Sequence, residues 1–374
     1  MGKLTSPLPK KYKYRKEQIL NIVALSGEIP TDLYKQLNMT KDNFKKICSN
    51  LKKEGLIKSV ITRNVHGYVL QLKGKQYLRK QSRIELYFQD IQTQTINIQQ
   101  RKRNHQLARI FVILDLLDIP YEPSKKPSRE MFNYKSSDVV FYTAQEYKQE
   151  QEERSKGFQG SRFKGLLIGC QKILPVYLAN QHLINFHRTE ISLINQIGKD
   201  YLQGGKIESA VIFCSDKLSA ANIFSEINNY EDGKGTVDIT SSSYYDEIVV
   251  VPLDENLSLA FQSIYKEERI KEFIKHKYQI KPGSSESIYD GILKGSEVLI
   301  AVNIEVIRIS RYLSDKADKN ETAYVFCYEY MKPIIERHIS EFNQDRDEYE
   351  PKLTARIQTI KAEEIQNEYG VLTT

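Results

Sequence analysis

Residues 17–78 constrain the fold of this chain most strongly, because the spacing of their apolar residues changes in a defined order. In residues 17–26 the apolar residues cluster on one face at helical spacing, and Gly27 ends the predicted helix. A short second helix is predicted directly after it. Thr40 then precedes a third predicted helix over residues 41–54, where its hydroxyl can accept the first free backbone N–H groups as an N-cap.

The predicted third helix has two distinct sides. Apolar residues at three- and four-residue intervals predict the side that packs inward, namely Phe44, Ile47, Cys48 and Leu51. The other side is mostly polar and basic, with Lys41, Asn43, Lys45, Lys46, Asn50 and Lys53. Gly55 ends this helix, and two β-rich runs, 56–62 and 67–72, predict a hairpin around a polar tip that contains Arg63 and His66.

Helices in this order, followed by a hairpin, are typical of a winged helix-turn-helix, and they predict residues 15–80 as a DNA-binding domain. In this interpretation the third helix enters a major groove, and the hairpin touches the backbone or the minor groove. The predicted contacts are Thr40, Lys41, Asn43, Lys45, Lys46, Asn50, Lys53, Arg63 and His66. The alternative is a small three-helix subdomain that binds a protein partner, which the basic character of the outer helix face disfavours.

Charge is distributed unevenly along the chain. Residues 1–110 contain 23 Lys and Arg against 7 Asp and Glu, whereas the remainder contains 32 against 41. The net charge of +7 is therefore the sum of a basic N-terminal part and an acidic remainder of the chain. A basic end is the pattern expected of nucleic-acid binding, and residues 1–14 predict a flexible basic arm. A solvated charged surface without a partner is the alternative, and it fits less well with the position of the helix-turn-helix.

Residues 81–108 predict either a helical connector between domains or a helix used to form a homodimer. Near its end, a basic run opens an apolar helix, and Arg101 and Arg103 are candidates for phosphate contacts. An equally good interpretation is that both arginines cap this helix on its solvent side.

In residues 109–374, short apolar strands alternate with amphipathic helices. This alternation predicts an α/β domain with a mixed, largely buried sheet, and an α+β chain overall. The predicted strands are 138–142, 164–169, 173–178, 209–214, 247–252, 297–304 and 323–328, with an edge strand at 353–360. The predicted helices are 217–228, 257–265, 285–293, 305–314 and 330–341.

The chain lacks the sequence motifs of several functional classes. The chain contains no GxxxxGK[ST] phosphate loop, no GxSxG elbow and no HExxH pair. Its 4 cysteines and 6 histidines show no metal-ligand spacing, so we expect neither a metal nor another cofactor, and the cysteine usage fits a reducing cytoplasm. With no long apolar run and no signal-like start, we expect no membrane segment.

A metal-dependent nuclease or nicking enzyme is an alternative function, since such enzymes need carboxylates that converge on a metal ion. Asp138 opens a predicted strand and Glu190 follows another, so both are candidates for such a site. Hydrogen bonding at strand and helix ends explains them equally simply. We therefore assign no catalytic residue, and enzymatic activity is not the main expectation.

Short segments of the chain resemble the replication-relaxation proteins encoded on plasmids and integrative conjugative elements of Gram-positive bacteria. Residues 72–78 (LKGKQYL) are similar to the L-T-x-x-G-x-x-L ending of that family's winged helix, and residues 103–108 (RNHQLA) to its R-x-H-x-x-A helix start. Residues 141–146 (FYTAQE) and 160–167 (GSRFKGLL) resemble F-Y-S-S-x-E and G-S-R-x-x-G-x-L in related mobile-element proteins. The resemblance covers roughly residues 15–195.

The resemblance implies a winged helix joined to a domain likened to restriction endonucleases, and a role in plasmid replication or conjugative DNA processing. This chain departs from the nuclease pattern, because it has no clear acidic-x-Lys strand. The implied role is therefore that of an origin-binding or relaxosome accessory factor. Its implied partners are double-stranded DNA and a relaxase, helicase or replication protein.

The same resemblance draws attention to Ser161 and Arg162 in the second domain. An arginine after Gly-Ser can bind phosphate or hold an acidic partner, and a buried salt bridge explains the pair equally well. A transcriptional regulator with a ligand-sensing α/β domain is a further alternative for the whole chain.

Overall fold

The computed structural model describes residues 15–37, 39–81, 97–122, 125–128, 132–133, 135–149, 163–179, 188–228, 245–283, 288–344, 346 and 350–369. The chain divides into two compact units. The first is Met1–Asp115 with Tyr121–Lys126, and the second is Leu116–Pro120 with Pro127–Thr374. Helices and mixed sheets occur together, so the prediction of a mixed α/β chain is confirmed. The predicted arm at residues 1–14 lies outside the described residues.

The first unit combines helices with a three-stranded antiparallel sheet in the order β1-β3-β2. Its elements are α1 (Arg15–Ser26), β1 (Ile29–Pro30), α2 (Lys41–Lys53), β2 (Ile57–Thr62), β3 (Val65–Leu70), α3 (Leu72–Gln81) and α4 (Ile98–Leu116). A single 3-10 turn, Leu33–Lys35, stands where the sequence predicts the second helix. The predicted boundary between connector and α/β domain, at residue 108, falls inside α4, most of which belongs to this unit.

Helix ends in the first unit follow the local signals in the sequence. Gly27 ends α1 with a φ of +83°, a left-handed conformation that side chains disfavour. Thr40 caps α2, and its Oγ1 accepts a hydrogen bond from the backbone N–H of Asn43 at 3.3 Å. Both predictions are confirmed. Between these ends the apolar faces are fully buried, with Ile19, Leu20, Ile22 and Val23 from α1 and Phe44, Cys48 and Leu51 from α2.

The second unit contains two mixed sheets. One has the order β12-β8-β7-β6-β5-β4 and the other has the order β14-β13-β11-β10-β9. The strands are β4 (Val140–Thr143), β5 (Gly165–Gly169), β6 (Lys172–Leu178), β7 (Ser209–Cys214), β8 (Glu247–Pro252), β9 (Lys281–Pro282), β10 (Gly291–Leu293), β11 (Ser296–Ala301), β12 (Ile304–Glu305), β13 (Thr322–Tyr328) and β14 (Thr354–Ile360). The helices are α5 (Ala144–Gln149), α6 (Arg188–Leu202), α7 (Lys217–Asn228), α8 (Leu257–Tyr278), α9 (Val306–Asp318), α10 (Lys332–Gln344) and α11 (Ala362–Tyr369).

Helix α8 contributes to the cores of both sheets. Phe261 stacks on Phe213 of β7 with ring centroids 5.9 Å apart, and Tyr278 packs on Phe326 of β13 at 4.8 Å. On α10, His338 stacks on Phe224 of α7 at 4.1 Å. Burial lowers the pKa of His338 to about 4, so this ring is neutral at physiological pH. Among the described helices, none is long and apolar enough to span a bilayer.

Most predicted strands of the second unit occur within a few residues of their expected bounds, and the expected edge strand at 353–360 is β14. The helix predicted at 285–293 is wrong. The described part of that segment leads into β10, which pairs antiparallel with β11. Lys294 and Gly295 form the turn between them with φ of +51° and +89°. A hairpin turn and strand pairing therefore override a helical apolar pattern that extends only a few residues.

Glu305 joins two elements of the second unit. Its carboxylate caps α9 by accepting hydrogen bonds from the backbone N–H groups of Ile307 and Arg308. It also accepts one from the N–H of Ile248 in β8, at 3.2 Å. The side chain is buried, and this burial raises the pKa of Glu305 to about 7, because desolvation outweighs the hydrogen bonds.

This raised pKa predicts a pH-dependent stability. Between pH 4.5 and 7 the folded protein holds the Glu305 proton while the unfolded chain has lost it, so the free energy of unfolding falls as pH rises. Glu305→Gln does not titrate. From pH 4 to 8, the free energy of unfolding of wild type, measured in urea, should fall by up to about 3 kcal/mol relative to that of Glu305→Gln. Glu329→Gln, at an exposed site, controls for carboxylate removal, and parallel curves for wild type and Glu305→Gln would contradict the prediction.

Candidate nucleic-acid interface

Helix α2 presents a polar and basic face to solvent. The predicted contact residues of this helix are all exposed, namely Lys41, Asn43, Lys45, Lys46, Asn50 and Lys53, and so is Thr40 at its cap. Asn43, Lys46, Asn50 and Lys53 recur at three- and four-residue intervals, so they form one stripe along the helix. This stripe is separate from the buried apolar one. The helix therefore offers amide and ammonium groups together on a rigid, accessible surface.

The hairpin of β2 and β3 ends in a tight turn at Arg63 and Asn64. Arg63 adopts a φ of +51° and is exposed, as is His66. Ile61, whose partner across the hairpin is His66, is 65% exposed. The tip thus presents a cation, an imidazole and an apolar side chain within a few residues of one another.

A buried charge cluster, formed by Glu28, Arg101 and His105, lies against this hairpin. The guanidinium of Arg101 donates to both carboxylate oxygens of Glu28, with N–O distances of 2.8 and 2.6 Å. His105 Nε2 lies 2.8 Å from the same carboxylate. Arg101 also donates to the backbone carbonyl of Val60 in β2 at 3.0 Å. The cluster therefore connects α4 to the segment before β1 and to the hairpin.

Gly67 of β3 makes room for the cluster. A Cβ at this position would lie 2.1 Å from Oε1 of Glu28, which is far inside any tolerable contact. Burial by itself would raise the pKa of Glu28, but the hydrogen bonds and charges of Arg101 and His105 outweigh it and hold the pKa below its ordinary value. The carboxylate therefore stays ionised in the interior.

This arrangement overturns one predicted contact. Arg101 is only 1% exposed, so its guanidinium is not accessible to a DNA phosphate, and its position is explained by the buried Glu28. Arg103, the other predicted contact on α4, is half-exposed. Sequence reasoning missed the roles of His105 and of Arg109, which pairs with Asp32 at 3.0 Å. The available signal was Glu28 itself, an acidic residue directly after the glycine that ends the first helix, in a strongly basic part of the chain.

The structure describes two of the four predicted residues of the second unit, and these two differ in burial. Asp138 is exposed just before β4, whereas Glu190 is fully buried in the first turn of α6. Burial raises the pKa values of Tyr177 and Tyr245, and electrostatic repulsion from Glu190 adds a smaller contribution. The hydroxyls of the two tyrosines are hydrogen-bonded at 2.9 Å. Ser161 and Arg162 lie outside the described residues. Within the described ranges, no group of three or more His, Cys, Asp or Glu side chains could hold a metal ion.

Comparison with known proteins gives no match to any protein-family model, curated protein or solved structure.

The buried pair makes a testable prediction about the first unit. Arg101→Met removes the cation and leaves Glu28 buried without its main partner, which should cost about 3 kcal/mol or more of unfolding free energy. Adding Glu28→Gln should recover part of this loss, because the stranded charge is then removed. Hydrogen exchange of first-unit peptides in the full chain measures both effects.

Lys102→Met is the matched control, since Lys102 is the exposed neighbour of Arg101 on the same helix. Lys102→Met should change the free energy of hydrogen-exchange protection of first-unit peptides by no more than about 0.5 kcal/mol. Equal protection in the Arg101→Met and Lys102→Met variants would show that the cluster does not hold the hairpin.

Proposed function

We propose that this chain is a sequence-specific double-stranded DNA-binding protein whose first unit is a winged helix-turn-helix. The observation that carries the proposal is the exposed stripe of asparagines and lysines on α2, beside a hairpin with an exposed cationic tip. Both belong to the part of the chain in which basic residues far outnumber acidic ones.

The dimensions and chemistry of α2 suit a recognition helix. A helix of 13 residues is about 20 Å long. The major groove of B-DNA is wide enough to admit an α-helix. Asn43 and Asn50 carry amides, which can pair in a bidentate way with adenine. The lysines beside them can neutralise phosphates, which positions the helix without reading sequence.

The hairpin and α4 complete this interpretation. Arg63 and His66 would contact the sugar-phosphate backbone or the minor groove from the hairpin tip. The charge cluster holds β2 through the Val60 carbonyl, so the hairpin has a fixed base on α4. A preorganised hairpin reduces the ordering cost that accompanies binding.

The biological role proposed here is that of an origin-binding or relaxosome accessory factor of a mobile genetic element. This part rests on the resemblance to replication-relaxation proteins. The acidic balance after residue 110 suits a unit that recruits a protein, such as a relaxase, helicase or replication protein, rather than a second DNA-binding unit.

The resemblance also likens the second unit to restriction endonucleases. The antiparallel run β4-β5-β6, followed by α6 and the parallel strand β7, supports that comparison at the level of topology. The strands themselves, GLLIG and KILPVYL, carry no carboxylate. A proposed accessory role fits the sequences of these two strands better than metal-dependent cleavage does.

The basic face of α2 predicts salt-dependent binding. Lys45→Ala together with Lys46→Ala should weaken binding to DNA of any sequence by about tenfold or more, and should reduce the salt slope by about two. Fluorescence anisotropy at several salt concentrations measures both quantities. Lys281→Ala with Lys361→Ala, which are exposed lysines of the second unit, is the matched control and should bind normally. Unchanged affinity and slope in the α2 variant would exclude this face from the interface.

The asparagines predict a different effect. Asn43→Ala and Asn50→Ala should each lower affinity for the specific site by about 1–3 kcal/mol, while binding to unrelated DNA changes little. Footprinting on the DNA that surrounds the protein's own gene identifies that site, with Mg²⁺ present and absent. Protection with intact strands supports the proposal. No binding even at low salt, or a Mg²⁺-dependent nick, would contradict the accessory role.

A further inference from the structure

The tip of the β2–β3 hairpin, residues 61–66, extends past the end of β1. Strand β1 pairs with Gly67 and Tyr68 of β3, whereas Val65 and His66 pair with β2. The tip turns at Arg63, and most of its side chains are in solvent. Its exposed residues are Ile61, Arg63, Asn64 and His66. The tip is therefore accessible to a ligand from the side of the unit on which the hairpin ends.

Ile61 lies on the face of the hairpin that packs against α2. Tyr68, which is opposite Ser59, packs edge-on against Phe44 of α2 with ring centroids 6.3 Å apart. Successive strand residues point to opposite faces, so Ile61, two residues beyond Ser59, shares the face of that pair. Its side chain lies about 7 Å further along the strand than the contact with α2. Its partner across the hairpin, His66, is on the same face.

Two features of the tip are unfavourable for the folded protein by itself. An isoleucine stabilises a fold when it is buried, but Ile61 is 65% exposed. Arg63 has a φ of +51°, in the left-handed region that glycine and asparagine tolerate better, although an asparagine follows it directly. Backbone held in this region is concentrated at sites that contact ligands. Both features indicate that the tip contacts a ligand.

The charges around Ile61 indicate what that ligand is. Residues 55–80 contain six Lys and Arg and no Asp or Glu, and both Arg63 and His66 are exposed beside Ile61. The ligand must therefore accept cations and an apolar side chain together. The minor groove of DNA does so, because phosphates border it and stacked base pairs form its floor. Since the tip lies beside α2, the duplex proposed for that helix is within its reach.

We propose that Ile61 is a wedge that enters the minor groove and separates two stacked base pairs, while Arg63 and His66 contact the walls of the groove. Proteins that kink DNA frequently insert an apolar side chain, isoleucine among them, between base pairs in this way. The wedge rests on the proposed DNA binding and adds to it a bend of the duplex. It also adds a sequence preference, because pyrimidine–purine steps such as TA unstack most easily.

The base of the tip is held firmly enough for this role. Val60, the residue directly before Ile61, accepts a hydrogen bond through its carbonyl from the buried Arg101 at 3.0 Å. On the facing strand, Gly67 follows His66 and lies against the carboxylate of Glu28. The buried charge cluster therefore contacts both strands directly below the tip. Ile61 itself is β-branched, so its side chain has few rotamers to lose when it inserts.

The first test selects bound duplexes from a pool of short random-sequence DNA with the full chain and sequences them. Wild type should enrich a pyrimidine–purine step at a fixed distance from the bases whose enrichment depends on Asn43 and Asn50. Ile61→Thr keeps a β-branched strand residue but removes the apolar wedge. This variant should lose the enriched step and keep the bases read by the asparagines.

The second test measures the bend and the affinity together on the most enriched duplex, by energy transfer between dyes at its two ends. Wild type should bring the ends closer, whereas Ile61→Thr and Ile61→Ala should remove most of the bend and lower affinity by about tenfold. Ile61→Phe, a larger wedge, should keep the bend. Leu218→Ala is the matched control, since Leu218 is 62% exposed in the second unit, and it should change neither quantity. Circular dichroism checks that each variant is folded.

A mismatched pair at the enriched step provides a complementary measurement. Because such a step is already partly unstacked, it should strengthen binding of wild type, and it should strengthen binding of Ile61→Thr much less.

The outcomes separate the wedge from the proposed DNA binding. Binding without a bend, or a bend that persists in Ile61→Thr and Ile61→Ala, overturns the wedge and leaves DNA binding by α2 in place. If wild type selects no DNA even at low salt, the proposed function fails and the wedge fails with it. The cationic tip would then belong to an interface with an acidic protein.

Discussion

The first unit depends on how it accommodates one buried carboxylate. Glu28 lies in the interior against Gly67, and an ionised group there is costly unless cations surround it. Arg101 on α4 supplies the cation, and His105 on the same helix supplies a further hydrogen-bond partner. Because Arg101 also holds the Val60 carbonyl, neutralising Glu28 fixes the hairpin and α4 at the same time. A second buried polar contact, from Gln18 on α1 to Asp115 at the end of α4, fixes the far end of that helix.

These contacts decide which side chains face outward. Arg101 of α4 is buried and has a structural role, whereas the lysines of α2 are exposed to solvent. The proposed interface thus lies on exposed side chains of α2, whereas the charged side chains of the buried cluster are taken up by internal contacts. Preorganisation of the hairpin follows from the same network, since its base is held by a charge-assisted hydrogen bond rather than by loop residues.

The second unit is organised by shared helices rather than by one charged group. α8 packs aromatic rings on strands of both sheets, and Glu305 ties β8 to the start of α9. Its sheets are mixed, and several strands are buried on both faces. The long strand β14 differs, because only its final residue is buried.

The sequence by itself determined the elements and their faces. Periodic apolar residues, Thr40 at a cap and Gly27 at a helix end are local signals, and the structure places each where such signals predict. Only the tertiary structure decided the fate of Arg101, because its partner Glu28 is 73 residues away and burial of that pair depends on packing. The same holds for β10, where pairing with β11 overrode a helical pattern, and for Glu190, which lies beside two buried tyrosines. Long-range contacts fix burial, and burial decides whether a charged side chain binds a partner or supports the core.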